Sequence, residues 1–184
     1  MSELDRLDER RLLDRFRAER DEASFRALYR AATPYLWAFA RRLAGGDDAE
    51  AEELVQEAWV RAVERVGRFR GESAVRSWLG GVLVNCWRER RRGLRREVGT
   101  SENGPIGEAE PVPERVPAID LERALAVLPE NLRVVVLLHD LEGLTHVEIA
   151  DWLGVPVGTS KRRLFDGRRE LRRRLRRGSL GGTP

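Results

Sequence analysis

What this 184-residue chain lacks narrows its chemistry first: it holds one cysteine, one lysine and two histidines. With Cys86 alone, no disulfide can form within the chain, and a cytoplasmic location is the expectation. Cys86 lies among Leu79, Val82 and Leu83 and reads as a core thiol. His139 and His146, with one distant cysteine, make no recognisable zinc set, so neither metal nor cofactor is expected. No run approaches the roughly 20 apolar residues of a membrane span, and no signal peptide opens the sequence. Glycine-rich phosphate loops and nucleophile–base pairs are also missing, which argues against an enzyme.

What the chain does have is charge. Charged residues make up 35% and hydrophobic residues 41%, a balance that suits helical bundles with exposed charged faces. The net charge of +3 is unevenly spread: residues 119–160 carry two bases and seven acids, residues 161–177 ten bases and two acids, Asp166 and Glu170. A local +8 over seventeen residues is an electrostatic footprint for a polyanion such as nucleic acid.

The basic stretch follows a punctuated segment. Thr145 with Glu148 is a capping box that starts a helix. Gly154 can end it in a left-handed conformation, and Pro156 blocks its continuation. A second helix then runs through the arginines. Two short helices about a glycine turn form a helix-turn-helix, whose second helix can enter a DNA major groove. Ser160, Leu164, Gly167 and Leu171 fall on one side of that helix and should pack inward. Gly158, Thr159, Arg162, Phe165, Asp166 and Arg169 face the other way, toward base edges and phosphates. A basic, solvated helix in a three-helix bundle is the alternative; cap, turn and charge segregation together favour the DNA reader.

Upstream, residues 3–20 predict a helix with a narrow apolar stripe. A second helical pattern starts at Glu22, and Pro34 should kink or restart it. Asp47 and Glu50 form a capping box for a helix whose apolar face holds Leu54, Val55, Ala58, Trp59, Ala62, Val63 and Val66. Glu53, Glu57 and Glu64 lie opposite, flanked by Glu52 and Gln56. This acidic face has two readings, a solvated surface or a protein contact. Residues 67–73 form a loop that mixes Arg68 and Arg70 with Phe69, as single-strand binding surfaces do, and Ser73 can cap the next helix. In that helix Val75, Leu79, Val82, Leu83 and Cys86 should be core. A second stripe, Trp78, Gly81, Asn85, Arg88 and Arg92, suits either a base-stacking row or a half-buried tryptophan beside a charged helix end. Residues 93–118 lose apolar periodicity and carry five glutamates, which predicts a flexible acidic linker.

The segments Asp48–Glu57, Arg68–Gly71, Trp78-Leu79 and Asn85 resemble the promoter-melting domain, region 2, of bacterial sigma factors. Leu128-Pro129, Leu141–Thr145, Glu148–Ala150 and Leu153–Thr159 resemble region 4, their promoter −35 domain. Two such domains joined by a short linker resemble the extracytoplasmic-function group of the sigma-70 family. The resemblance implies an all-α fold of two small helical domains: an N-terminal helical extension over 1–22, region 2 over 23–92, an acidic linker over 93–119, region 4 over 120–177 and a disordered tail over 178–184. It implies core RNA polymerase as partner, through its β′ clamp and β flap, and promoter DNA. By this likeness Glu52, Glu53, Gln56 and Glu57 meet the clamp. Arg68, Phe69, Arg70, Ser73, Trp78, Asn85 and Arg88 meet the −10 strand. Thr159, Lys161, Arg162, Phe165, Asp166 and Arg169 meet the −35 element. The linker would pass near the RNA exit path. An anti-sigma factor that holds the protein at the membrane is a further candidate partner. A dimeric helix-turn-helix repressor or activator is the other reading, but it accounts only for 120–177.

The sequence departs from that family pattern at three positions. Ser160 stands where a β-branched apolar residue is usual and should weaken helix packing. Arg162 replaces a small residue. Asp166 replaces a base; it could accept from a cytosine amino group as a base reader, or merely trim phosphate attraction. Arg162, Arg163 and Arg169 are placed to hold it in an internal ion pair, and the reader role is the slightly favoured one.

Overall fold

The computed structural model describes residues 3–71, 73–98 and 118–180, and among these every regular element is helical. Helix α1, Glu3–Glu19, turns Leu13 and Phe16 inward. It stops at Arg20, whose φ of 54° lies in the left-handed region and breaks the helical path. Asp21 then caps α2 by accepting from the Ser24 amide at 2.8 Å.

Helix α2, Glu22–Leu43, runs unbroken through Pro34, contrary to the expectation of a restart. The ring removes one backbone donor and costs about 3 kcal/mol. Along the same helix Leu28, Leu36, Phe39 and Leu43 are buried, at roughly 2 kcal/mol each, which outweighs that cost. Tertiary burial, not local preference, keeps the helix whole.

Helix α3, Asp48–Arg65, begins directly after Asp47 and buries Ala51, Leu54, Val55, Ala58, Trp59 and Ala62. The Trp59 indole donates to Thr33 Oγ1 at 3.1 Å, and the Phe25 and Tyr29 rings close around it at 5.7 and 5.2 Å. A 3₁₀ turn over Val66–Arg68 leads into the loop before α4, Val75–Val98. The expected core positions of α4 are buried, and so are Val84 and Trp87.

Downstream come α5, Ala118–Ala126, and α6, Glu130–Val136, which continues as a π-helical turn over Leu137–Leu141 closed by Glu142 N to Leu137 O at 3.1 Å. Then α7, His146–Leu153, and α8, Val157–Leu180, form the helix-turn-helix. Thr145 makes the reciprocal capping box with Glu148, and Gly154 ends α7 at φ 64°. Gly167 allows close approach: a Cβ there would lie 2.6 Å from Val136 Cγ2.

Packing divides the chain into two units, Met1–Arg41 with Asp48–Arg90, and Arg42–Asp47 with Arg91–Pro184. Helix α4 extends to Val98 and α8 to Leu180, so residues 93–98 and 178–180, expected in the linker and tail, are helical. The rest of the expected linker through residue 117, and residues 181–184, lie outside the described residues. No described helix is long and apolar enough to cross a membrane.

Candidate nucleic-acid and protein interfaces

Helix α3 presents Glu52, Glu53 and Gln56 to solvent, as its periodicity requires. Glu57 differs: its side chain is only 28% exposed, and it pairs with Arg61 at 2.5 Å and with Arg90 of α4 at 3.1 Å. Arg90 also takes Glu53 at 2.7 Å, and that hydrogen bond raises the guanidinium's pKa. Arg61 reaches on to Glu89 at 2.6 Å. The acidic face is therefore braced across α3 and α4, with Glu57 held inside the brace and Glu53 at its rim. The sequence reading missed Val60, 60% exposed, one turn beyond Gln56 and Glu57. An apolar side chain on an otherwise acidic outer face gives no periodic signal, so only its exposure in the fold reveals it.

In the loop before α4, Arg68 and Arg70 are exposed. Phe69 between them is not: it is 4% exposed, packs on Trp78 with ring centroids 5.2 Å apart, and has the Arg10 guanidinium over its ring at 5.2 Å. Phe69, expected at the strand, is thus buried in this structure and offers a base no open ring face. Ser73 is exposed, but α4 starts at Val75, which puts Ala74 rather than Ser73 at the capping position. Along α4, Trp78, Gly81, Asn85 and Arg88 are half-buried in one row that ends at the exposed Arg92. The helix thus places an aromatic edge, an amide and guanidiniums along one line, as the sequence spacing requires.

In the helix-turn-helix, Ser160, Leu164, Gly167 and Leu171 are buried on the inner side of α8. Lys161 and Arg169 are exposed, and Thr159, Arg162 and Phe165 half-buried. Asp166, 19% exposed, is held by Arg162 Nε at 2.5 Å and by Arg169 at 3.2 Å. Arg169 also lies over the Phe165 ring at 5.6 Å. One turn on, Glu170 is bracketed by Arg173 at 2.6 Å and Arg174 at 2.7 Å, which hold its carboxyl down to about 2. The two acids of the basic stretch are therefore each tied to arginines of the same helix.

Ser160 does not merely leave a gap. It is fully buried, and its Oγ shares a 2.9 Å hydrogen bond with His146 Nδ1 at the start of α7. The His146 ring sits 4.8 Å from that of His139, whose Nδ1 meets Asp140 at 2.9 Å, and Asp140 is taken by Arg168 of α8 at 2.5 Å. Burial, followed by His139, Lys161 and Arg168, lowers the His146 pKa. A polar chain thus ties α8 to α7 and to the turn before it. Nothing in the spacing of Ser160 and His146 disclosed this.

The chain matches two family profiles, Sigma-70 region 2 over residues 28–97 and Sigma-70, region 4 over residues 118–171. It is 33% identical to the ECF RNA polymerase sigma factor SigE of Mycolicibacterium smegmatis, over 85% of this chain and 65% of that protein. It is 32% identical to the ECF RNA polymerase sigma factor SigM of Mycobacterium tuberculosis, over 84% of this chain and 79% of that protein. Among solved structures, the sigma factor RpoE of Bartonella quintana, crystallised with the anti-sigma factor NepR, superposes with a TM-score of 0.60 at 27% identity, covering 83% of this chain and 96% of that one. The two profiles fall in the order in which the braced acidic helix, the Trp78–Arg92 row and the capped helix-turn-helix occur, and the chain belongs to the extracytoplasmic-function group of RNA polymerase sigma factors of the sigma-70 family.

Proposed function

We propose that the protein binds core RNA polymerase with its α3 face, holds the −10 strand with the Arg68–Arg70 loop and the α4 row, and reads the −35 element with α8. The domains would be 23–92 and 120–177, joined by 93–119 and flanked by 1–22 and 178–184. Glu52, Glu53, Gln56 and Glu57 face the β′ clamp, and the second domain docks at the β flap. Arg68, Arg70, Ser73, Trp78, Asn85 and Arg88 serve the opened strand. Thr159, Lys161, Arg162, Phe165, Asp166 and Arg169 serve the −35 duplex. The protein directs initiation as a regulatory subunit in the cytoplasm and leaves catalysis to the polymerase. By likeness to RpoE with NepR, an anti-sigma factor is its second protein partner.

One observation carries this reading: a single chain holds both an outward basic helix on a capped helix-turn-helix and an exposed acidic helix face that a DNA reader alone has no use for. A dimeric repressor would leave that face and the α4 row idle. The test is reconstitution of the full chain with core polymerase. Specific promoter opening is expected, with Asn85→Ala retaining core binding but reducing permanganate-reactive open complexes. Failure to co-purify with core polymerase would overturn the reading.

A further inference from the structure

Helix α1 precedes the region 2 match, which starts at residue 28, and the family match gives it no task. Its Arg10 nevertheless makes two contacts at the loop before α4 and one within α1. Nη1 donates to the Gly71 carbonyl at 3.3 Å, the guanidinium lies 5.2 Å from the Phe69 ring centre, and Nε is anchored to Asp14 at 2.9 Å. The neighbouring Glu9, 4% exposed, binds Arg76 of α4 at 2.5 Å, and Arg76 covers the Tyr35 ring at 5.4 Å. Two adjacent residues of α1 thus grip both the loop and the first turn of the helix that follows it.

We propose that Arg10 is a positioning residue for the −10 strand: it clamps Phe69 and Gly71 so that Arg68 and Arg70 are held outward beside the Trp78–Asn85–Arg88 row. This rests on the reading that the loop and that row meet the opened strand. The physics is preorganisation. A glycine-bearing loop with two arginines loses conformational freedom when it takes up phosphate, and a loop already ordered loses less. Phe69, in contact with both Arg10 and Trp78, is buried, and Arg68 and Arg70 on either side of it in sequence are exposed. The role demands arginine. A planar guanidinium can stack on Phe69 while its separate N–H groups bind Gly71 and Asp14; a lysine ammonium has no plane to stack with and no rigid fork.

The test uses the full chain assembled on core RNA polymerase, with a promoter fragment enriched from a random DNA pool by the wild-type holoenzyme. Arg10 is 39% exposed at its side chain, so Arg10→Ala should fold, with helical content checked by circular dichroism. The expected results are amide exchange in residues 66–71 about tenfold faster, open complexes reduced about fivefold, and core-polymerase affinity unchanged. Arg10→Lys should fail to restore either. Full rescue by lysine would show that neither stacking nor a rigid fork is needed at this position and would overturn the positioning role. If Arg10→Ala changes neither loop exchange nor opening while Arg70→Ala impairs opening, the clamp is refuted and the strand-binding loop stands. If Arg68→Ala and Arg70→Ala both open promoters normally, the loop reading falls and the proposal with it.

Discussion

His146 and Ser160 close a hydrogen bond of 2.9 Å between the first residue of α7 and a fully buried position of α8. This bond joins the candidate reading helix to α7 through polar side chains at a buried position. Ser160→Ala should therefore destabilise the helix-turn-helix by about 1–2 kcal/mol, since it leaves a half-buried ring nitrogen without its partner. A double-mutant cycle with His146→Phe, read by urea unfolding, should give a coupling of about 1 kcal/mol. Additive effects would show the bond to be energetically idle.

The same ring predicts a pH dependence. The ordinary His146 value is 6.5, and burial first, then the cations around it, lower it in the folded protein. As pH falls below 6.5 the unfolded chain takes up this proton before the folded one, so stability is lost on acidification and flat above neutrality. Thermal unfolding from pH 8 to pH 5 should show the helix-turn-helix transition falling below pH 6.5. His146→Gln, which retains a hydrogen-bonding group, should reduce that slope.

At the α3 face, exposure separates residues that the sequence treats alike. Val60→Asp should shift stability by no more than about 0.5 kcal/mol, because the side chain is already in water. It should still weaken core-polymerase binding about tenfold if this face docks. Glu57→Lys should cost about 1 kcal/mol of stability by setting a third cation beside Arg61 and Arg90, whereas Glu53→Lys should cost less. Pull-down titrations beside denaturation curves distinguish a docking effect from a folding effect.

For Asp166, the ion pairs to Arg162 and Arg169 shift the expectation from base reading toward restraint of those arginines. Asp166→Ala should tighten binding to every −35 sequence and steepen the salt dependence by about one phosphate contact. Binding of wild type and variant to a −35 library across a salt series measures both. Relaxed choice at one position by about 1–3 kcal/mol, with no general tightening, would instead make Asp166 a base reader.

The sequence by itself determined which stretches are helical and how the helix-turn-helix is punctuated. The Thr145–Glu148 box, Gly154 and the inward set of α8 are local matters of dihedral preference and 3.6-residue spacing, and they stand in the structure as the spacing requires. So does the core side of α4, and so does membership in the sigma-70 family, because its motifs are short and contiguous. Only the tertiary structure decided what depends on partners far apart in the chain. Pro34 stays within α2 because buried side chains outweigh one lost hydrogen bond. Phe69 turns inward because Arg10 and Trp78, 59 residues before and nine after it, receive its ring. Glu57 is braced because Arg90 arrives from another helix, and Ser160 is satisfied because His146 does. Periodicity tells which side of a helix faces its own core; it carries no information about which side chain from elsewhere will meet it there.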